Sequence, residues 1–127
     1  MHTHPIVSII DDDESVRIAT SMLVRSLGWG VRLYASAEDF LASGQIGDVA
    51  CIISDVQMPG MSGLEMQRHL LDGGITLPII FISAFASEVV RRQALDNGAM
   101  CVLSKPVDGA VVSRCLETLQ ARGGEIH

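Results

Sequence analysis

Ile6-Val7-Ser8-Ile9-Ile10-Asp11-Asp12-Asp13-Glu14 is the stretch whose reading decides the fold. Ile6 to Ile10 is an apolar run with no polar alternation, the pattern of a strand covered on both faces. It breaks on four consecutive acids, after which Val16, Ile18, Ala19, Met22, Leu23 and Leu27 recur at helical spacing. The unit is strand, acidic loop, helix.

The same order repeats outward from there. Gly28 and Gly30 punctuate the helix end, Val31 to Tyr34 supplies a second strand, and Ser36 with Asp39 three residues on resembles a capping box for a short helix. Val49 to Ser54 is apolar again and ends on Asp55. Met58-Pro59-Gly60-Met61-Ser62-Gly63 must then be loop, because a proline and two glycines interrupt any period, and Leu64 to Leu71 restores a helix. Pro78 to Ser83 reads as a fourth strand, Ser87 to Asn97 as a helix stopped by Gly98, Met100 to Ser104 as a fifth strand closed by Pro106, and Ala110 to Ala121 as the last helix. Five two-sided apolar strands alternating with five helices call for a doubly wound α/β domain. Right-handed crossovers lay its helices on both faces of a parallel sheet.

A chain of 127 residues fits one domain, so residues 1–127 are expected to form a single unit, with 1–4 and 123–127 as flexible tails. With 48% hydrophobic residues and a formal charge of −6, the chain is expected to be a globular protein that does not itself bind nucleic acid. Apolar runs such as Leu77 to Ser83 are too short to cross a bilayer, and Met-His-Thr-His-Pro at the start lacks the regions of a signal peptide. A cytoplasmic protein with no membrane partner is the expectation. Cys51, Cys101 and Cys115 share no metal spacing and sit in apolar segments, where free cysteine packs as a small hydrophobe. His2 and His4 could chelate a metal as a pair, but they have no further ligands nearby and read as tail.

In open α/β sheets ligands gather at the carboxyl ends of the strands, and there the polar residues concentrate. Asp11, Asp12, Asp55, Ser83 and Lys105 each end or directly follow an apolar strand. Carboxylates converging on one edge repel unless a cation neutralises them, and an all-oxygen set suits Mg²⁺ rather than zinc. An aspartate can attack phosphorus to give an acyl phosphate where cations neutralise the transferred oxygens, a task open to Lys105 and Ser83. Taken singly, each residue could equally be a cap or turn former: Asp13 could cap the helix that follows it, and Asp55 could simply open a loop.

With these residues in view the chain resembles the receiver domain of two-component response regulators from Ile6 to about Leu119. The resemblance is carried by Ile-Ile-Asp-Asp-Asp-Glu at 9–14, Asp-Val-Gln-Met-Pro-Gly-Met-Ser-Gly at 55–63 and Lys105-Pro106. It implies a flavodoxin-like (βα)5 sheet in strand order 2-1-3-4-5. Mg²⁺ would lie on Asp11, Asp12, Asp55 and the Gln57 backbone carbonyl, with the phosphoacceptor at Asp55, the hydroxyl switch at Ser83 and the lysine at Lys105. The Lys105-Pro106 bond would be cis. The implied partner is a sensor histidine kinase, and the implied activity is that of a switch assisting its own phosphorylation and autodephosphorylation rather than that of an enzyme. A homodimer through the fourth helix, fifth strand and fifth helix is also implied, with Val89, Val102 and Val111 near that face.

Tyr34-Ala35-Ser36-Ala37-Glu38-Asp39-Phe40-Leu41 is similar to the FixJ branch, whose members usually carry a helix-turn-helix output domain. Serine replaces the commoner threonine at the switch, and Val102 replaces the usual aromatic on the fifth strand. With no ring to swing, movement of Phe85 and the 84–87 loop is expected to carry the output instead. Three other readings compete. A haloacid-dehalogenase-type phosphatase would use Asp11-x-Asp13. A pseudo-receiver would keep the fold as a phosphorylation-independent interaction module. A flavodoxin would need a phosphate loop where this chain has four acids.

Overall fold

The computed structural model describes residues 5–125. Its elements alternate as expected: β1 Ile6–Ile10, α1 Glu14–Ser26, β2 Gly30–Tyr34, α2 Ala37–Ala42, β3 Val49–Asp55, α3 Gly63–Asp72, β4 Ile79–Ser83, α4 Glu88–Asp96, β5 Cys101–Ser104 and α5 Gly109–Glu125. The strands form one parallel sheet in the order β2-β1-β3-β4-β5. This is the doubly wound, flavodoxin-like fold.

Local chemistry accounts for the helix boundaries. Asp13, Ser36, Ser62 and Ser87 each take extended backbone at the N-cap and accept a backbone N–H from the first turn of the helix that follows. Around α3 the capping box is complete, since Glu65 also accepts from the Ser62 backbone N–H. Before α2 only the forward bond, Asp39 N–H to Ser36 Oγ, is made. Gly98 closes the α4 turn at φ +100°, a conformation that favours glycine, as its place at the helix stop suggested.

Two expectations change. The last helix, expected to end at Ala121, runs on to Glu125; residues 1–4, 126 and 127 lie outside the described part. Gly63, read as loop, is the first residue of α3.

Side-chain alternation along the strands divides the core in two. Ile10, Ile52, Phe81 and Val102 face Phe40 of α2, Met66 and Leu70 of α3 and Ala94 of α4. Val7, Ile9, Ile53, Ile80 and Ile82 face Val24 of α1 and Val112 and Leu116 of α5. Every inner strand is thus covered on both sides, which explains its unbroken apolar run. Val102 is 3% exposed and belongs to the α2–α4 side of the core, so it does not lie on the outer face where it was expected. Val89 is 75% exposed.

Candidate functional site

Sheet register brings the chemistry together. Ile10 pairs with Ser54, so Asp11 and Asp55 leave neighbouring strands at the same level. Asp55 pairs with Ile82 and Ser83 with Ser104, which sets the hydroxyl and Lys105 one step further on. The Lys105-Pro106 bond is cis. Lys105 Nζ donates to Asp55 Oδ2 at 2.9 Å and lies 3.3 Å from Asp11 Oδ2. A carboxylate oxygen from each of Asp11, Asp12 and Asp55 falls within 4.8 Å of the others. Asp11 and Asp55 are buried, whereas Asp12 is exposed.

The electrostatics follow from burial. Desolvation pushes the Asp11 carboxyl above its ordinary range; the Asp13 backbone N–H it accepts works the other way, the Asp55 charge adds to the rise, and Lys105 offsets part of it. Partial burial works against the Lys105 ammonium, but the bond to Asp55 and the charges of Asp11 and Asp55 outweigh it and hold the pKa above the usual lysine value.

One lysine is thus set against three acids, and Asp11 Oδ2 is buried without a hydrogen bond despite its approach to Lys105. Two buried carboxylates that share one ammonium, with Asp12 beside them, keep an excess of negative charge that a further cation would neutralise. The donors are all oxygen, so the set fits a hard divalent cation such as Mg²⁺. Gln57 enters through its backbone N–H, which donates to Asp55 Oδ1 at 3.1 Å and so helps hold the carboxylate's orientation.

Of the alternatives, capping describes Asp13 alone: its Oδ1 accepts from Ser15 and Val16 N–H, and it stands outside the acidic cluster. That removes the second acid from an Asp-x-Asp arrangement. Three other participants had escaped the sequence reading. Arg17 reaches back from α1 to donate to the Asp11 backbone carbonyl at 2.7 Å, bracing the acidic loop. Its signal was a cation in the helix's N-terminal turns, where acids are normally favoured. Glu38 of α2 accepts from Met61 N–H at 3.1 Å, tying α2 to the loop after Asp55, and Gly63 packs against that loop at close range. Glu38 and Met61 lie 23 residues apart, and nothing local marks their contact.

The comparisons with known proteins agree with this geometry. Residues 7–117 match the family described as response regulator receiver domain. The chain belongs to that family, the receiver domains of two-component response regulators.

Among its relatives is the response regulator protein TmoT of Ectopseudomonas mendocina, 43% identical over 103 residues, or 80% of this chain and 46% of TmoT. The transcriptional regulatory protein FixJ of Azorhizobium caulinodans is 34% identical over 94% of this chain and 56% of its own. The chain therefore spans about half the length of these relatives. The solved structure of FixJ-N superimposes with a TM-score of 0.81 at 30% identity, covering 93% of this chain and 94% of that one. Response regulator StyR gives 0.86 at 33% identity, over 96% and 62%.

Proposed function

We propose that this chain is a phosphorylation switch in which Asp55 accepts a phosphoryl group from a histidine kinase or a small phosphodonor. The observation that carries the reading is the contact of Lys105 Nζ with Asp55 Oδ2 inside a cluster of three carboxylates. An Asp55 oxygen attacks phosphorus as the bond from phosphorus to the donor's histidine nitrogen breaks. The electron pair stays on that nitrogen, which takes up a proton. Asp11, Asp12, Asp55 and the Gln57 carbonyl would hold Mg²⁺, which when bound neutralises charge on the phosphoryl oxygens. Lys105, already beside Asp55, exchanges its carboxylate partner for a phosphoryl oxygen.

Ser83 connects this chemistry to shape. Its Oγ accepts the Phe85 backbone N–H at 3.2 Å, and Phe85 is 82% exposed. A phosphoryl oxygen that draws the hydroxyl inward takes away that acceptor and frees the 84–87 loop. The outer face of α4, β5 and α5 is the surface we assign to a second copy or an output partner. Membership of the family supports a cytoplasmic location beside a sensor kinase as part of this reading. No helix among the described residues is long and apolar enough to cross a membrane.

The test is incubation with acetyl phosphate, read by intact mass. The protein should gain roughly 80 Da only with Mg²⁺ present, and Asp55→Asn should gain nothing. Undiminished labelling of Asp55→Asn would move the acceptor elsewhere. Absence of any labelling in the wild type, with a folded protein and Mg²⁺, would favour the pseudo-receiver reading.

A further inference from the structure

At the opposite edge of the sheet from the carboxylates, Cys101 opens β5 and Cys115 sits in the second turn of α5. Their sulfurs are 3.3 Å apart, and both thiols are free. We infer that Cys101 and Cys115 form an oxidisable dithiol, a modification site at which a disulfide fastens α5 to β5.

Closing the gap to the about 2.05 Å of a disulfide requires each sulfur to move roughly 0.6 Å, well within side-chain reach. Access is unequal. Cys115 lines an open groove with Gly98, Ala99, Met100, Arg114 and Thr118, through which a small oxidant can reach its sulfur. Cys101 does not line that groove; burial and the neighbouring Cys115 push its thiol up to about 12, so it is slow to react with a reagent from solution. Cys51 is fully buried on the same face, with its thiol also pushed up to about 12.

These differences order the reaction with a peroxide. The Cys115 thiolate attacks one peroxide oxygen, the O–O bond breaks, and the departing hydroxide takes a proton to become water, leaving a sulfenic acid on Cys115. The Cys101 sulfur then attacks the Cys115 sulfur, the S–O bond breaks, and the hydroxide leaves as water with the Cys101 proton. Two thiols have lost two electrons and two protons, and one peroxide has become two waters. The bridge spans 14 residues of chain and touches neither Lys105 nor Ser83.

Hydrogen peroxide treatment of the whole chain, alkylation with N-ethylmaleimide in denaturant and tryptic mapping test this directly. Lys105 precedes proline and resists trypsin, so the three cysteines fall in separate peptides, 33–68, 93–114 and 115–122. The expected product links 93–114 to 115–122, carries N-ethylmaleimide only on Cys51, and melts at a higher temperature until dithiothreitol reverses it. Cys51→Ala should still form the link, and Cys115→Ser should not. Three alkylated thiols, oxidation of Cys115 to a sulfinic acid with no link, or links spread over Cys51 would each overturn the inference. So would a melting temperature that the link leaves unchanged or lowers. Acetyl phosphate labelling of the oxidised protein should match the reduced protein, and loss of labelling would contradict the separation of this site from Asp55.

Discussion

Gly63→Ala probes how α3 is seated against the phosphoacceptor loop. Glycine at this position is required by close approach, since its φ is not positive. A Cβ there would stand 2.9 Å from Phe81 Cε1, 3.2 Å from Val56 Cα and closer still to the Asp55 carbonyl oxygen. Unstrained carbons sit about 3.5–4.0 Å apart, so something must yield by more than half an ångström. Phe81 is 0% exposed and has no space to turn into. Asp55 and Val56 are backbone contacts that no rotamer change relieves, and Gly63 N–H is held on the Val56 carbonyl at 2.8 Å. Overpacking of this kind costs about 1–3 kcal/mol, and rigid neighbours place this site near the upper end. Alanine's smaller entropy loss returns about 0.4–1 kcal/mol, leaving a net destabilisation of about 2 kcal/mol. For a domain of this size that lowers Tm by roughly 6–10 °C. Thermal and urea unfolding followed by circular dichroism measure it, and acetyl phosphate labelling should slow because the strain falls on Asp55. A variant as stable as the wild type would refute the account of why glycine stands there.

Asp11→Asn should stabilise the metal-free protein at neutral pH. The folded pKa of Asp11 is raised, so stability is lost as pH rises from the ordinary carboxylate value through the raised one, and asparagine removes that loss. A lower urea midpoint for the variant without Mg²⁺ would contradict this, and the variant should gain less from Mg²⁺ than the wild type. Lys105→Met leaves the Asp11 and Asp55 carboxylates without their cation and should cost about 1–2 kcal/mol in metal-free buffer, a partial loss because Lys105 is part-exposed. Since the Lys105 pKa is raised, that difference should persist at neutral pH and fade only as alkali deprotonates the ammonium; a difference already gone at pH 9 would count against the pairing. Glu38→Ala removes the acceptor of Met61 N–H and should cost about 1 kcal/mol while speeding hydrogen exchange at Met61, whereas unchanged exchange would show that the tie does not hold the loop.

How much of this was legible beforehand depends on the range of the interaction. Runs such as Val49 to Ser54 carry their own signature, because a strand covered on both faces must be apolar throughout, and that pattern is local. Caps are local too: Ser62 and Glu65 mark the start of α3 from three residues apart. The positions of Asp11, Asp55, Ser83 and Lys105 at strand ends followed from the same runs, so their convergence could be read once a parallel sheet was inferred.

The sequence by itself determined the order of elements, the parallel two-faced sheet and which polar residues share its carboxyl edge, since periodicity and chain connectivity are enough to fix these. Only the tertiary structure decided what each residue touches. It assigned Asp13 to a cap rather than the acidic cluster, turned Val102 into the core, made Gly63 a close-packed helix start and drew Glu38 to the Met61 amide. It also set the sulfurs of Cys101 and Cys115 side by side. Such contacts join distant residues, and they depend on sheet register, strand twist and helix placement to within about an ångström. Hydrophobic periodicity constrains none of these that finely, because it states which face a residue takes but not which neighbour meets it there.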